Sequence, residues 1–242
     1  MRSWQDPAGR FALHMRKKLL QIGVADWQRR GRTLLEINCG AGIFLPTLWE
    51  CGFDISATEL CPALRQRATE KIASRAEIFA ASDDHLPFEN NAFDWVVLHL
   101  VMPTSDAVAN ALQEALRVAA AGLAVTFWNS VSLPYIAYRI GGRKKSWPTG
   151  TCNWWNVWYT LKKLSAGRMS GMSTLAAPRS TWSASCPLAF CNHGFHWLPF
   201  GSWAIIRLHL APSRPLTPLG LRLGREPMES PEPVMEYETK TP

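Results

Sequence analysis

The first residues suited to chemistry form a short acidic and glycine-containing segment, Glu36-Ile-Asn-Cys-Gly-Ala-Gly42. It overlaps the end of the apolar run Thr33–Ile37, which predicts a buried strand. Gly40 and Gly42 have no Cβ, so a turn at this point can bring the backbone close to a ligand and direct amide groups at it. The segment therefore predicts a nucleotide-type cofactor site at the end of a strand.

The spacing of the glycines separates two classes of cofactor. The dinucleotide pattern G-x-G-x-x-G fits at two of three positions in its better register, where Leu45 replaces the third glycine. The pattern acid-x-G-x-G-x-G fits at three of four positions, with Glu36 as the acid and Asn38 in place of the first glycine. Since Asn tolerates a left-handed backbone better than most residues, we expect cofactor binding to survive this replacement.

Two further signals follow along the chain. Glu59 ends the next predicted strand about twenty residues after the turn, where an acid can accept both ribose hydroxyls of an adenosine. This signal fits either cofactor class. The loop Ala81-Ser-Asp-Asp-His-Leu-Pro-Phe88 comes next and leads into the strand-like run Phe93-Asp-Trp-Val-Val-Leu.

Residues 33–128 resemble class I S-adenosylmethionine-dependent methyltransferases, particularly the small-molecule, type 11-like members. The resemblance rests on the acidic glycine turn, on Leu86-Pro-Phe88 with the strand after it, and on the helical run Leu112-Gln-Glu-Ala-Leu-Arg-Val118. It implies S-adenosylmethionine as the cofactor, a Rossmann-like fold and methyl transfer as the activity.

The resemblance also implies roles for individual residues. The family's aspartate that bonds the adenine amino group aligns with Ser82, and we expect Asp83 to substitute for it. His99 ends the fourth predicted strand, near the expected position of the methionine end of the cofactor. The full set of expected cofactor residues is Glu36, Asn38, Gly40, Gly42, Glu59, Leu60, Ser82, Asp83, Asp84 and His99.

Methyl transfer from a sulfonium is an in-line displacement, so the protein must chiefly align an acceptor and exclude water. A general base is needed only when the acceptor must lose a proton. Residues 130–225 contain no carboxylate, which leaves His99, His193 and His196 as the candidate bases. Thiols at Cys186 and Cys191 precede two of these histidines, but the spacing lacks the close pairs of zinc sites, so we expect no metal.

Two irregular stretches, 130–152 and 178–200, are rich in Trp, Pro, Gly and Ser and are expected to form the acceptor side together with residues 1–30. Trp147, Trp182 and Trp197 lie in these stretches and are candidates for contacting a small apolar or aromatic acceptor. Residues 130–225 also hold twelve Lys and Arg, which leaves an anionic acceptor open, whether a small molecule, an acidic carrier protein or RNA. No RNA-binding motif accompanies these cations.

The rest of the pattern predicts the scaffold. Short apolar runs alternate with helical stretches, which favours an α/β, doubly wound, mostly parallel sheet of seven strands. A helical cover is predicted over 1–30, with a helix at 8–29, followed by a single domain over 31–225 and an acidic, disordered tail over 226–242. The longest apolar stretch, Val118–Trp128, is too short to span a bilayer, so we expect a cytoplasmic protein with no membrane partner.

A second function class stays open at this point. Asn38, Ser82 and the lack of a catalytic signature also fit a non-catalytic protein that keeps the fold and binds S-adenosylmethionine or a partner.

Overall fold

The computed structural model describes residues 6–101, 105–140, 150–183, 186–193, 195–196 and 198–210. Within them lie six helices: α1 Pro7–Gly23, α2 Leu45–Glu50, α3 Pro62–Ile72, α4 Ser105–Val118, α5 Leu133–Ile140 and α6 Trp154–Leu164. The same residues form nine strands: β1 Thr33–Ile37, β2 Asp54–Thr58, β3 Ala76–Phe79, β4 Phe93–Leu100, β5 Ala119–Asn129, β6 Thr151–Cys152, β7 Arg168–Thr174, β8 Phe195–His196 and β9 Trp203–His209.

The strands join in one sheet in the order β3-β2-β1-β4-β5-β9-β7-β8, with β6 paired to the end of β5. Strands β1 to β5 run parallel, whereas β9 is antiparallel to both β5 and β7. The predicted doubly wound, mostly parallel sheet is confirmed, with two-residue strands β6 and β8 added to its seven longer ones. Strand order reverses between β1 and β4, and open α/β sheets bind ligands at that point, outside the carboxyl ends of the strands.

Helices cover both faces of the sheet. Neighbouring residues of β1 show this division, because Leu34 packs with α1, α2 and α3 while Leu35 packs with α4 and α6. On β5, Ala124 and Leu123 divide in the same way. Strands buried on both faces form nearly continuous apolar runs, which is why they could be predicted from the sequence.

Helix α1 is shorter than the predicted 8–29. Asp6 caps its start by accepting the Gly9 amide proton at 2.7 Å, and it ends at Gly23. There Arg207 of β9 donates to the Gly23 carbonyl oxygen at 2.9 Å. This side chain therefore provides the hydrogen bond that a backbone amide would have donated if the helix had continued. Beyond the end, Trp27 stacks on Trp95 with ring centroids 4.5 Å apart, which fixes the chain in a different direction.

The two stretches predicted to be irregular contain regular structure. Helix α5 and strand β6 lie within 130–152, and β8 and two 3-10 helices, at Arg179–Thr181 and Pro187–Asn192, lie within 178–200. Ser132 precedes α5, and its hydroxyl oxygen accepts the Tyr135 amide proton at 3.3 Å, an N-terminal cap followed by proline in the first turn. Residues 141–149 and the predicted tail lie outside the described residues. No helix in the described part of the chain is both long and apolar enough to cross a membrane.

Candidate functional site

The turn after β1 uses three residues in the left-handed conformation. The φ angles of Asn38, Gly40 and Gly42 are 58°, 59° and 64°. A Cβ on Gly42 would lie 3.0 Å from the Ala68 Cα, so this glycine allows α3 to pack against the turn. A Cβ on Gly40 would meet nothing within 4 Å, so Gly40 faces open space. Of the two glycines, Gly40 is the one that leaves room for another group at its Cβ position.

The side chain of Asn38 links the turn to two other elements. Its Nδ2 donates to the Asp83 carboxylate at 2.7 Å and to the His99 carbonyl oxygen at 3.1 Å. The loop after β3 and the end of β4 are thereby held against the end of β1. Asn38 therefore adopts the backbone that a glycine would supply and makes contacts that a glycine cannot make.

Glu59 borders the same open space from the end of β2. Its carboxylate accepts the Gly40 amide proton at 2.8 Å and the Cys61 amide proton at 2.9 Å. Each carboxylate oxygen has two lone pairs, so both oxygens keep capacity for a further donor such as a ribose hydroxyl. Leu60 follows and is 60% exposed, an apolar side chain beside the site.

Glu36, His99 and Thr126 form a buried network across three adjacent strands. The His99 ring nitrogen Nε2 lies 3.0 Å from the Glu36 carboxylate oxygen Oε1, and Nδ1 hydrogen-bonds to the Thr126 hydroxyl. A carboxylate can only accept, so Nε2 is assigned as the donor to Glu36. The second carboxylate oxygen of Glu36, Oε2, is buried and has no hydrogen-bond partner among the described residues. An uncompensated buried acceptor of this kind is costly, which marks it as a site for a donor from a ligand.

A buried cation lies beside this network. The guanidinium of Arg16, on α1, lies 3.9 Å from the ring centroid of Trp203 and 5.0 Å from that of Phe44. Phe44 in turn stacks on His99 with centroids 4.8 Å apart. Burial lowers the pKa of Arg16 to about 9. Arg16 was not among the predicted site residues, although its spacing from Leu19 and Leu20 places it on the buried face of α1.

The loop at 81–90 is fixed from α4. Arg117 donates to the carbonyl oxygens of Leu86 and Phe88 at 3.1 and 2.7 Å, while Glu114 accepts the Leu86 amide proton at 3.1 Å. The hydrogen bond from Arg117 is the main cause of a lowered pKa at Glu114. These two residues belong to the helical run that carried the family resemblance, yet they were not among the predicted site residues. Their role explains why such a pair occurs in that run.

The predicted adenine-binding residues lie in the same loop with distinct partners. Asp83 is engaged by Asn38, whereas the Ser82 hydroxyl donates to the Asp84 carboxylate. Ser82 and Asp83 are half-buried and Asp84 is exposed. All three follow the end of β3 in the chain, and their contacts to a cofactor stay a prediction.

Other predicted residues lie elsewhere or cannot be placed. His193 is exposed and follows a 3-10 helix that is hydrogen-bonded to the end of β7. In the sheet, β9 lies between β7 and β5, so His193 lies apart from His99. Trp182 is 4% exposed, and its ring N–H donates to the Ala177 carbonyl oxygen at 2.9 Å, which favours a packing role over acceptor contact. Trp147, Trp197 and the side chain of His196 lie outside the described residues. Among the side chains that are described, no three His, Cys, Asp or Glu residues converge to hold a metal ion.

A cleft opens beyond the carboxyl end of β5, between α4 and α6. Its volume is about 480 Å³, and hydroxyl and amide groups dominate its lining, which includes Ser130, Thr151, Asn153, Asn156, Thr160 and Lys163. This is the edge of the sheet that also carries His99. The cleft therefore offers room for a small molecule at this edge of the sheet.

Three features of the turn fit S-adenosylmethionine. The free Glu36 oxygen suits a cationic donor such as the amino group of the methionine moiety. The open space at Gly40 suits close approach of the ligand to the backbone. Glu59, with unused lone pairs, lies directly beside that space. These two carboxylates and the open space suit a ligand that donates from ribose hydroxyls and from a charged amino group, as S-adenosylmethionine does.

Comparison with known proteins agrees with this geometry. Residues 35–125 match the family described as "Methyltransferase domain". No curated protein sequence matches the chain. A Thermotoga maritima methyltransferase, described as a possible histamine N-methyltransferase, aligns at 17% identity over 84% of this chain and 92% of its own, with a TM-score of 0.66.

Two other solved structures widen the comparison. The magnesium protoporphyrin IX methyltransferase of Synechocystis PCC 6803, with bound S-adenosylhomocysteine, aligns at 13% identity over 85% of this chain and 86% of its own, with a TM-score of 0.62. A [4+2]-cyclase aligns at 14% identity over 80% and 81% of the two chains, with a TM-score of 0.54. At such identities these likenesses establish the fold. Within this fold, residues 35–125 match the methyltransferase-domain family, and the acidic glycine turn lies inside the matched residues.

Proposed function

We propose that this protein transfers the methyl group of S-adenosylmethionine to a small acceptor bound at the carboxyl ends of β4 and β5. The observation that carries the proposal is the buried Glu36 oxygen without a partner, next to a turn whose Gly40 faces open space. Glu36 would bind the amino group of the methionine moiety, and Glu59 would bind the ribose. Leu60, with Ser82, Asp83 and Asp84, would contact the adenine.

Bound S-adenosylmethionine supplies a sulfonium methyl group, which an acceptor nucleophile attacks in line with the breaking S–C bond. The chain contributes alignment and exclusion of water. Phe44, Trp128 and Trp203 surround the Arg16 guanidinium and close the α1 side of the site with apolar surface.

His99 serves in this scheme as a positioning residue. Both of its ring nitrogens are engaged, by Glu36 and by Thr126, so neither is available to take a proton from an acceptor. Its function is to hold the Glu36 carboxylate through Oε1, which leaves Oε2 without a partner among the described residues. Transfer then proceeds without a base from His99, which suits an acceptor that is nucleophilic as it binds.

The cleft beyond β5 supports a small acceptor. A volume of about 480 Å³ lies in the ordinary range for small-molecule sites. Lys163 and the neighbouring hydroxyl and amide groups would bind a polar or anionic group of the acceptor, while its apolar part would contact Val108, Val157 and the Tyr159 ring. An acidic carrier protein or RNA would need a larger surface, and the experiment below separates these classes by size.

The test has two steps on the purified protein. Isothermal titration with S-adenosylhomocysteine should show one site, and Glu36→Gln should weaken it by about tenfold or more, since a hydrogen bond to a charged group is lost. Tritium transfer from labelled S-adenosylmethionine to a cell extract, followed by size fractionation, should then place the label on a small molecule. No binding by folded protein would refute the proposal at its first step.

A second candidate function is a non-catalytic S-adenosylmethionine-binding protein. The engagement of both His99 nitrogens favours it, because His99, the candidate base placed near the turn, is not available to deprotonate an acceptor. The cyclase with the same fold shows that this scaffold also occurs in a protein named for a different reaction. Tight binding of S-adenosylhomocysteine with no label in any size fraction would support this candidate and count against methyl transfer.

A further inference from the structure

Helix α5 directs apolar side chains toward solvent. Leu133, Ile136 and Ile140 are 53%, 42% and 82% exposed. Their spacing of three and four residues places them on one face of the helix. A surface helix normally turns its apolar face to the core, so this outward face calls for a partner outside the described fold.

Two residues from another part of the chain extend this face. Leu198 and Phe200 are each 43% exposed, and the Leu133 amide donates to the Phe200 carbonyl oxygen at 3.1 Å. We call Leu133, Ile136, Ile140, Leu198 and Phe200 the apolar rim.

The apolar rim lies at the edge of the sheet that carries the candidate site. Asn129, the last residue of β5, donates through Nδ2 to the carbonyl oxygens of Pro199 and Gly201. This holds the loop with Leu198 and Phe200 at the carboxyl end of β5. The rim is therefore next to the expected acceptor side, and a surface bound to it would lie at the entrance.

The sequence around α5 carries charge of one sign. Arg139 is exposed on α5 itself, and the sequence continues with Arg143, Lys144 and Lys145. The whole stretch 130–225 contains twelve Lys and Arg and no acidic residue. An apolar face flanked by cations matches the interface of a bilayer with anionic headgroups, which offers acyl chains and negative phosphates together.

A second helix at the same edge carries suitable side chains. Trp155 and Tyr159 on α6 are 45% and 56% exposed, with ring centroids 6.3 Å apart. Trp and Tyr favour the headgroup level of membranes, because each has an apolar body and a polar group. The exposed Lys162 and Lys163 follow them on the helix.

We propose that the apolar rim binds the surface of an anionic phospholipid bilayer. The expectation of no membrane partner rested on the lack of an apolar stretch long enough to span a bilayer. A helix that lies in the interface needs no such stretch, so that expectation does not oppose the proposal. The proposal also names a substrate class, since a protein docked in this way would take an amphiphilic acceptor dissolved in the bilayer. That second part rests on the proposed function, whereas the binding itself does not.

The test is sedimentation of the full chain with sucrose-loaded vesicles. Vesicles of phosphatidylglycerol and phosphatidylcholine should carry the protein down, pure phosphatidylcholine should bind it much less, and added salt should weaken the binding. Ile136→Asp should lower the partition coefficient by about tenfold or more, because an inserted apolar side chain is lost. Ile22→Asp is the matched control, since Ile22 is 38% exposed but lies on α1, and it should bind as the parent does.

Several outcomes would overturn the proposal. The parent protein could fail to bind anionic vesicles, or Ile136→Asp and Ile22→Asp could bind equally well. Self-association that Ile136→Asp abolishes, in the absence of vesicle binding, would identify a second copy of the chain as the partner of the rim. Titration with S-adenosylhomocysteine on the same samples separates the two proposals, because loss of cofactor binding with retained vesicle binding refutes only the proposed function.

Discussion

The amide nitrogen Nδ2 of Asn38 donates to the carboxylate of Asp83 across 2.7 Å, and this bond joins the turn after β1 to the loop after β3. The two residues are 45 positions apart in sequence. Asn38 was the main departure from the family pattern, and Asp83 was the expected substitute for a missing aspartate. The structure shows that Asn38 contacts this expected substitute, so the two positions are coupled.

Substitution of Asn38 tests this pairing. Asn38→Asp keeps a residue that tolerates the left-handed conformation but sets a carboxylate against Asp83 and against the His99 carbonyl oxygen. We expect the affinity for S-adenosylhomocysteine to fall by about tenfold or more, because attraction becomes repulsion inside the site. Asn38→Gly, which retains the backbone and removes only the bonds, should lose less. Calorimetric titration measures both, and equal affinities for parent and Asn38→Asp would show that the bond is irrelevant to binding.

The two glycines of the turn should separate stability from binding. Alanine at either position costs about 1–2 kcal/mol, because both φ angles are left-handed. Gly42→Ala adds a contact of 3.0 Å with the Ala68 Cα, so it should lower the free energy of unfolding further than Gly40→Ala does. Gly40→Ala places a methyl group in the open space and should mainly weaken binding of S-adenosylhomocysteine. Urea unfolding and titration on the two variants check this, and the reverse order would refute the assignment.

The role of His99 can be distinguished from that of a base. Thr126→Val removes the hydroxyl that bonds to His99 Nδ1, and His99→Gln removes the ring that holds Glu36. If His99 is a positioning residue, both variants should raise the Kd for S-adenosylhomocysteine by about tenfold, since an oriented charged hydrogen bond is disturbed. A general base would instead leave this Kd unchanged and reduce only the rate of transfer. Titration therefore decides the question even before an acceptor is known.

The stability of the loop at 81–90 should depend on pH through Glu114. Its pKa lies below the ordinary value of 4.5, chiefly because Arg117 donates to its carboxylate. A lowered acid pKa contributes stability that is present above pH 4.5 and is lost as the pH falls through the pKa of the folded state. Glu114→Gln should thus lower the melting temperature at pH 7, and the difference from the parent should shrink in more acidic solution.

A matched control for that prediction lies on α3. Within the described part of the chain, Glu70 bonds to Gln66 on an exposed helix surface, so Glu70→Gln should change the melting temperature little at either pH. Scanning calorimetry at several pH values measures both variants. A Glu114→Gln difference that stays constant down to acid pH would contradict the assigned charge pairing.

The cofactor half of the fold was largely predictable from local sequence. The predicted strand Thr33–Ile37 agrees with β1, and the strand-like run that begins at Phe93 agrees with the start of β4. Strands buried on both faces give apolar runs that turns interrupt, so each run is recognisable without its neighbours. The second half was harder to predict, and α5 was missed because a short helix with an outward apolar face lacks the usual pattern.

The sequence by itself determined the alternation of strands and helices, the acidic glycine turn and the acid Glu59, because each of these is encoded within a few consecutive residues. Only the tertiary structure decided how they act together. Glu36, His99 and Thr126 meet because the sheet sets β1, β4 and β5 side by side, although the first two are 63 residues apart. Likewise the close approach of α3 leaves no room for a side chain at Gly42, whereas Gly40 borders an open space. Such roles depend on what packs against a residue, which strand order fixes and local sequence does not.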